Sequence, residues 1–257
     1  MMRVPPTGPA PGPGTANLDG GCMVWALPPD ETCAGVARAR VRETMRGLGS
    51  SEELVRDSAT MASELATNVF AHALGGRNPL RGPAAFVPEL YLYRRGDRPE
   101  LVVKVFDRVP WKGAMPRRPE AGAESGRGLE VVAALAAEHG GSWGVHRTRS
   151  RLDAAPGKVV FFTVPVPAVA WRAPRRAAHQ ATDDLAATLA ARGMGPLHHC
   201  HGWGIAVLSV RAGITVWTRG ETFSVTLPPR GTVTFPTWDL TEAAEAIVQC
   251  GEDLDAG

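Results

Sequence analysis

The stretch Glu64-Leu-Ala-Thr-Asn68-Val-Phe-Ala-His72 places a polar side chain at every fourth position. On an α-helix, residues spaced i, i+4 and i+8 lie above one another, so Glu64, Asn68 and His72 would form one polar stripe. Leu54, Met61, Leu65 and Val69 recur beside it as an apolar stripe. Ser50 or Ser51, with Glu53 close behind, supplies a start signal, and Gly75-Gly76 a stop, so the predicted helix runs to about Ala73. A carboxylate and an amide one turn apart can hold a divalent cation and its waters. The same stripe would also serve as an ordinary solvated face.

Downstream of this helix, Glu89–Arg95 and Glu100–Asp107 read as two strands joined by a hairpin at Arg95-Gly-Asp-Arg98. Asp107 ends the second strand, where a side chain either projects from the sheet into a crevice or starts a turn. Pro110 to Gly126 lacks periodicity and reads as loop. Ser125-Gly126-Arg127-Gly128-Leu129 then leads into a helix reaching about His139. The free N–H groups and positive dipole end of such a helix favour an anion, and glycines let a phosphate approach the backbone. Strands at Ser142–Thr148 and Lys158–Pro165 close the unit. Upstream, Cys22–Leu27 is β-like and is stopped by Pro28-Pro29-Asp30. Asp30 or Thr32 can cap a helix that buries Ala37, Val41 and Met45 and leaves Arg38, Arg40, Arg42 and Arg46 solvated. The order β-α-α-β-β-α-β-β predicts an α+β two-layer sandwich, with helices on one face of a mostly antiparallel sheet.

On this reading residues 1–21 form a disordered leader rich in proline and glycine, 22–167 the main domain, 168–176 a linker, and 177–257 a small α+β module. The module is predicted to hold a helix at about Ala177–Arg192, three or four strands between Gly204 and Phe235, and a last helix from Asp239 or Thr241 to about Gly251. His198-His199-Cys200-His201 offers four metal-ligand types in a row. Adjacent residues do not readily converge on one tetrahedral ion, so the run reads as a polar loop, with the roles of His198, Cys200 and His201 open. Trp217 and Trp238 could form a partner surface, but aromatic residues flanking strands are more often core, and they are read as core. The 257 residues carry 28 Lys+Arg against 26 Asp+Glu, and a net charge of +2 gives no field suited to nucleic acid. Four scattered cysteines make no CxxC pair and read as reduced thiols. No signal peptide and no run of 18 apolar residues occurs, which points to a cytoplasmic protein without a membrane partner.

Taken in order, Glu64-Leu-x-x-Asn68-x-x-x-His72, the strand-end Asp107 and Glu124-Ser-Gly-Arg-Gly-Leu129 resemble the boxes of the GHKL (histidine-kinase-like) ATPase superfamily. The anti-sigma-factor serine kinases are the most similar branch, and the resemblance spans about Met23 to Val166. It implies the Bergerat-type fold, with ATP and Mg²⁺ as cofactors. It implies that Asn68 coordinates Mg²⁺, that Glu64 is the base toward an attacking hydroxyl, and that Asp107 accepts from the adenine amino group. Gly126, Arg127, Gly128 and Leu129 would form the glycine box that wraps the phosphates. The implied function is that of a protein serine/threonine kinase, transferring the ATP γ-phosphate to a serine of an anti-sigma-factor antagonist protein, sequestering a sigma factor, or both, with a homodimer allowed. Two departures stand out. The first glycine box of the family is replaced by Asp107-Arg-Val-Pro-Trp111, which has no glycine and a proline that removes a donor. Gly157-Lys-Val-Val160 offers no hydroxyl where the closing strand usually has one. The alternative they suggest is a catalytically inactive GHKL-fold module that switches partners without phosphorylation.

Overall fold

Leu101, Val103 and Val105 alternate with Val102, Lys104 and Phe106 along one strand, and all six are buried. Burial of both faces means that something covers each side of the sheet. The computed structural model describes residues 21–73, 87–96, 99–109, 127–167 and 176–256. The expected leader (bar Gly21), the Gly75-Gly76 stop, the tip of the Arg95–Arg98 hairpin, the loop from Pro110 to Gly126 and most of the expected linker lie outside the described residues.

The first unit runs β1 (Met23–Ala26), α1 (Cys33–Gly47), α2 (Glu52–Asn68), a π-helical turn (Val69–Ala73), β2 (Glu89–Arg95), β3 (Glu100–Asp107), α3 (Arg127–Glu138), β4 (Ser142–Arg149) and β5 (Pro156–Pro165). Its five strands lie in the order β1-β2-β3-β5-β4, and every neighbouring pair is antiparallel. Ala37, Val41 and Met45 of α1 and Met61 and Leu65 of α2 are fully buried against Leu90, Leu92, Val103 and Phe162. This is the α+β sandwich expected from the periodicity. Ser51 caps α2 by accepting from Leu54 N–H at 3.3 Å. The helix stops being α-helical at Asn68, five residues before the expected end, and the i→i+5 turn that follows widens the coil.

The second unit holds α4 (Ala178–Ala191), β6 (His198–Gly202), β7 (Ile205–Arg211), β8 (Ile214–Arg219), β9 (Thr222–Leu227), β10 (Gly231–Pro236) and α5 (Leu240–Asp255). Its sheet is a simple meander, β10-β9-β8-β7-β6, with α4 and α5 burying Leu185, Leu189, Ile247 and Val248 against Leu208, Val216 and Val225. Three expectations are corrected. The His198–His201 run is an exposed edge strand rather than a loop, because the two residues Trp203 and Gly204 both take positive φ (54° and 76°) and close a tight hairpin onto β7. Trp217 is 51 % exposed on the sheet face away from α4 and α5, not core. Gly251 does not end α5. It lies inside the helix where a Cβ would come within 2.8 Å of Met194 Cε, and the added turn is held by Glu252 to Arg149 at 2.5 Å and Asp255 to Arg211 at 2.7 Å.

Helix α5 covers the outer face of the first sheet, and it does so with charge. Glu245 is 2 % exposed. Its Oε1 accepts from Arg192 Nη1 at 2.6 Å and Arg151 Nη2 at 2.7 Å, and its Oε2 from Lys104 Nζ at 2.9 Å and the Tyr91 hydroxyl at 3.0 Å. Burial alone would raise this carboxyl, but Lys104, Arg192 and Arg151 hold it well below the ordinary carboxylate range. Arg192, the residue after α4, also donates to Thr148 Oγ1 at 2.7 Å and the Arg149 carbonyl at 2.5 Å. Glu242, one turn before Glu245, accepts from the Tyr93 hydroxyl at 2.6 Å and Arg95 Nη1 at 2.8 Å.

Removing one partner of a buried ion cluster leaves the others uncompensated. Glu245→Ala should therefore destabilise the protein by roughly 3–5 kcal/mol in urea unfolding at pH 7. Because the carboxyl is depressed in the folded state, its contribution is present above the unfolded value near 4.5 and is lost as pH falls through the lower folded value. The stability gap between wild type and Glu245→Gln should shrink below pH about 4.5, and a gap independent of pH would show that the charge of Glu245 is not what holds the contact.

Candidate functional site

The inner face of the first sheet and the helices above it bring the sequence-predicted residues to one end of the sandwich. Glu64 and Asn68 stand on the last turns of α2, both half-buried. Gly128 lies in the first turn of α3, where a Cβ would fall 2.7 Å from Glu64 Oε2 and 3.6 Å from both Oδ1 and Nδ2 of Asn68. The opening turn of α3 is thus seated directly on the carboxylate and the amide, and any side chain there would have to displace the Glu64 carboxylate. Leu129 packs against the main core and anchors that turn. Arg127 begins α3, and Gly126 lies outside the described residues. His72 sits on the π-helical turn, exposed and off the α-helical line of Glu64 and Asn68.

Asp107, the last residue of β3, is buried at 3 % exposure. Its Oδ1 accepts from the Val109 N–H at 2.8 Å and from Lys158 Nζ, and Lys158 donates a second bond to the Val109 carbonyl at 2.8 Å. Burial pushes the Asp107 carboxyl up, while Lys158, the Val109 N–H and nearby His72 pull against that rise. The β3–β5 register sets Lys158 directly opposite Asp107. Gly157 precedes it because a Cβ there would meet the Phe106 ring at 2.6 Å and collide with the Asp107 carbonyl. The expected crevice aspartate is therefore both a turn-starter and half of an ion pair. Sequence reasoning noted the missing hydroxyl in Gly157–Val160 but not that the lysine in that run completes the Asp107 environment.

Two oxygen donors one helical turn apart suit a hard cation that keeps several waters, and a helix N-terminus built on glycine suits phosphate. A family model described as the histidine kinase-like ATPase domain matches residues 27–153. Residues 27–153 are a histidine kinase-like ATPase domain, of the GHKL superfamily. None of the curated proteins matches the chain. The matched part of the ATPase domain carries Glu64, Asn68, Asp107 and Gly128. β5, with Lys158, lies beyond the match yet pairs between β3 and β4 in the same sheet. Among the described residues no helix is long and apolar enough to cross a membrane, and no group of three or more His, Cys, Asp or Glu side chains could hold a metal ion.

The close seat of Gly128 yields a direct test of the ATPase site. Gly128→Ala should push the Glu64 carboxylate aside and weaken Mg·ATP binding about tenfold or more, equivalent to about 1.4 kcal/mol. Titration calorimetry with a thermal-unfolding control checks this. Wild-type affinity in the variant would remove the first turn of α3 from the nucleotide site.

Proposed function

We propose that this protein is a regulator that binds Mg·ATP and transfers the γ-phosphoryl group to a serine hydroxyl of an antagonist protein, controlling the availability of a sigma factor. The observation that supports the reading is the convergence of Glu64, Asn68 and the Gly128 turn within one small volume. Phosphoryl transfer asks a protein for positioning and charge neutralisation more than for covalent catalysis. The serine proton passes to the Glu64 carboxylate as the serine oxygen bonds to the γ-phosphorus. The bond from that phosphorus to the β,γ-bridging oxygen breaks, and its electron pair leaves with ADP. Asn68 Oδ1 would hold Mg²⁺, which when bound neutralises phosphate charge. The N–H groups at the start of α3, including those of Arg127 and Gly128, face the phosphates, and Asp107 accepts from the 6-amino group of adenine. The cytoplasm is the compartment where ATP and sigma factors meet.

A second reading, a partner-switching module that binds its partners without transfer, draws on the run Asp107-Arg108-Val109-Pro110. Where the family has mobile glycines, this run is tied at both the N–H and the carbonyl of Val109.

Glu64→Gln keeps size and helix propensity while abolishing proton acceptance, so phosphorylation of the partner should fall about 10²–10⁴-fold with ATP binding intact. Transfer at the wild-type rate would exclude Glu64 as the base. If neither protein moves label from γ-labelled ATP to a serine, the partner-switching reading stands instead. Asn68→Ala should weaken ATP binding in Mg²⁺ and change little in EDTA, and equal loss in both would make Asn68 a structural residue.

A further inference from the structure

Lysine is scarce in this chain. Only three of its 28 cationic residues are lysines, and the two described, Lys104 and Lys158, are both buried. Lys104 serves Glu245 on the outer face. Lys158 serves the inner face, where the family resemblance leads one to expect a hydroxyl, and its hydrogen bonds can be counted. An ammonium has three protons. Two go to Asp107 Oδ1 and the Val109 carbonyl, and no third acceptor is found among the described residues. The Asp107 carboxylate shows the complementary deficit, because Oδ1 takes both the Lys158 and Val109 donors while Oδ2 accepts no hydrogen bond among the described residues. The pair thus keeps one donor and one acceptor side by side, both held in place by the Val109 backbone.

That doublet has a chemical complement. Adenine presents on its 1,6-edge an acceptor, N1, next to a donor, the 6-amino group. We infer that Lys158 and Asp107 read this edge together, Lys158 donating to N1 while Asp107 Oδ2 accepts from the 6-amino group. The inference rests on the ATP-binding reading above and adds a base-contacting residue to it. The tetrahedral head of a lysine has one proton for each of three directions, here the carboxylate, the Val109 carbonyl and a ring nitrogen. The ion pair also compensates for the glycine-free wall. Val109 is tied through both its N–H and its carbonyl, and the long lysine side chain supplies the donor beside it.

The test compares ATP with 1-deaza-ATP, which has C–H in place of N1, by calorimetric titration of the full chain in Mg²⁺. Wild type should bind the 1-deaza analogue about tenfold or more weakly, the scale of one charge-assisted hydrogen bond. Lys158→Met should bind the two nucleotides about equally. Each ratio is taken within one protein, so a general loosening of the site cancels. If the methionine variant does not fold, Lys158→Gln, which keeps a weaker neutral donor, should show a reduced ratio. Equal binding of ATP and 1-deaza-ATP by wild type, or an undiminished ratio in either variant, overturns the role of Lys158 while leaving ATP binding standing. GTP bound more tightly than ATP overturns the adenine orientation, since guanine reverses donor and acceptor along the same edge. Absence of any nucleotide binding by wild type overturns both this inference and the reading beneath it.

Discussion

One carboxylate decides how the two units of this protein meet. Glu245 enters the outer face of the first sheet from α5 and satisfies two guanidinium groups, an ammonium and a phenol at once. Each cation comes from a different place: Lys104 from the middle of β3, Arg151 from the turn after β4, Arg192 from the end of α4. None of them could be buried alone, since an uncompensated charge in a protein interior costs several kcal/mol by order of magnitude. The contact therefore forms as a set. The outer face of the ATPase sheet is completed by the module, and the module's first and last helices are both tied to it.

Alternation along β3 connects this anchor to the end of the sandwich that carries Asp107. Lys104 points outward to Glu245, and Asp107, three residues on, lies on the opposite face beside Lys158. The two described lysines thus fix the two faces of one strand, each through a buried carboxylate. β5 holds the register between them, pairing Lys104 with Phe161 and Asp107 with Lys158. A shift of one residue in that pairing would expose both charges to the wrong side.

Much of the first unit was legible because its helices and strands carry their own periodicity. Ala37, Val41 and Met45, or Leu101, Val103 and Val105, announce a buried face without help from the rest of the chain. Glu64, Asn68 and Gly128 could be grouped because their order resembles that of a known family, and the structure sets them together. What stayed hidden depends on partners far along the sequence. Glu245 lies 154 residues from Tyr91 and 141 from Lys104, and on its own helix it looks like a surface glutamate. Gly251 resembled a helix end until Met194 was seen packed on it. The His198–His201 strand has no apolar alternation to betray it, because it is an edge strand with both faces exposed. The π-helical turn after Asn68 left no local signature at all.

The same outer-face contact has an optical consequence. The chain has two tyrosines, and both, Tyr91 and Tyr93, lie on the face of β2 covered by α5, with their hydroxyls on Glu245 and Glu242. Burial raises both phenols well above their ordinary value, and the neighbouring carboxylates raise them further. Every phenol chromophore in the molecule is thus a witness to the same junction. Alkaline difference absorbance near the phenolate band then reads the seating of the module on the ATPase sheet directly, with no label added and no other tyrosine to subtract.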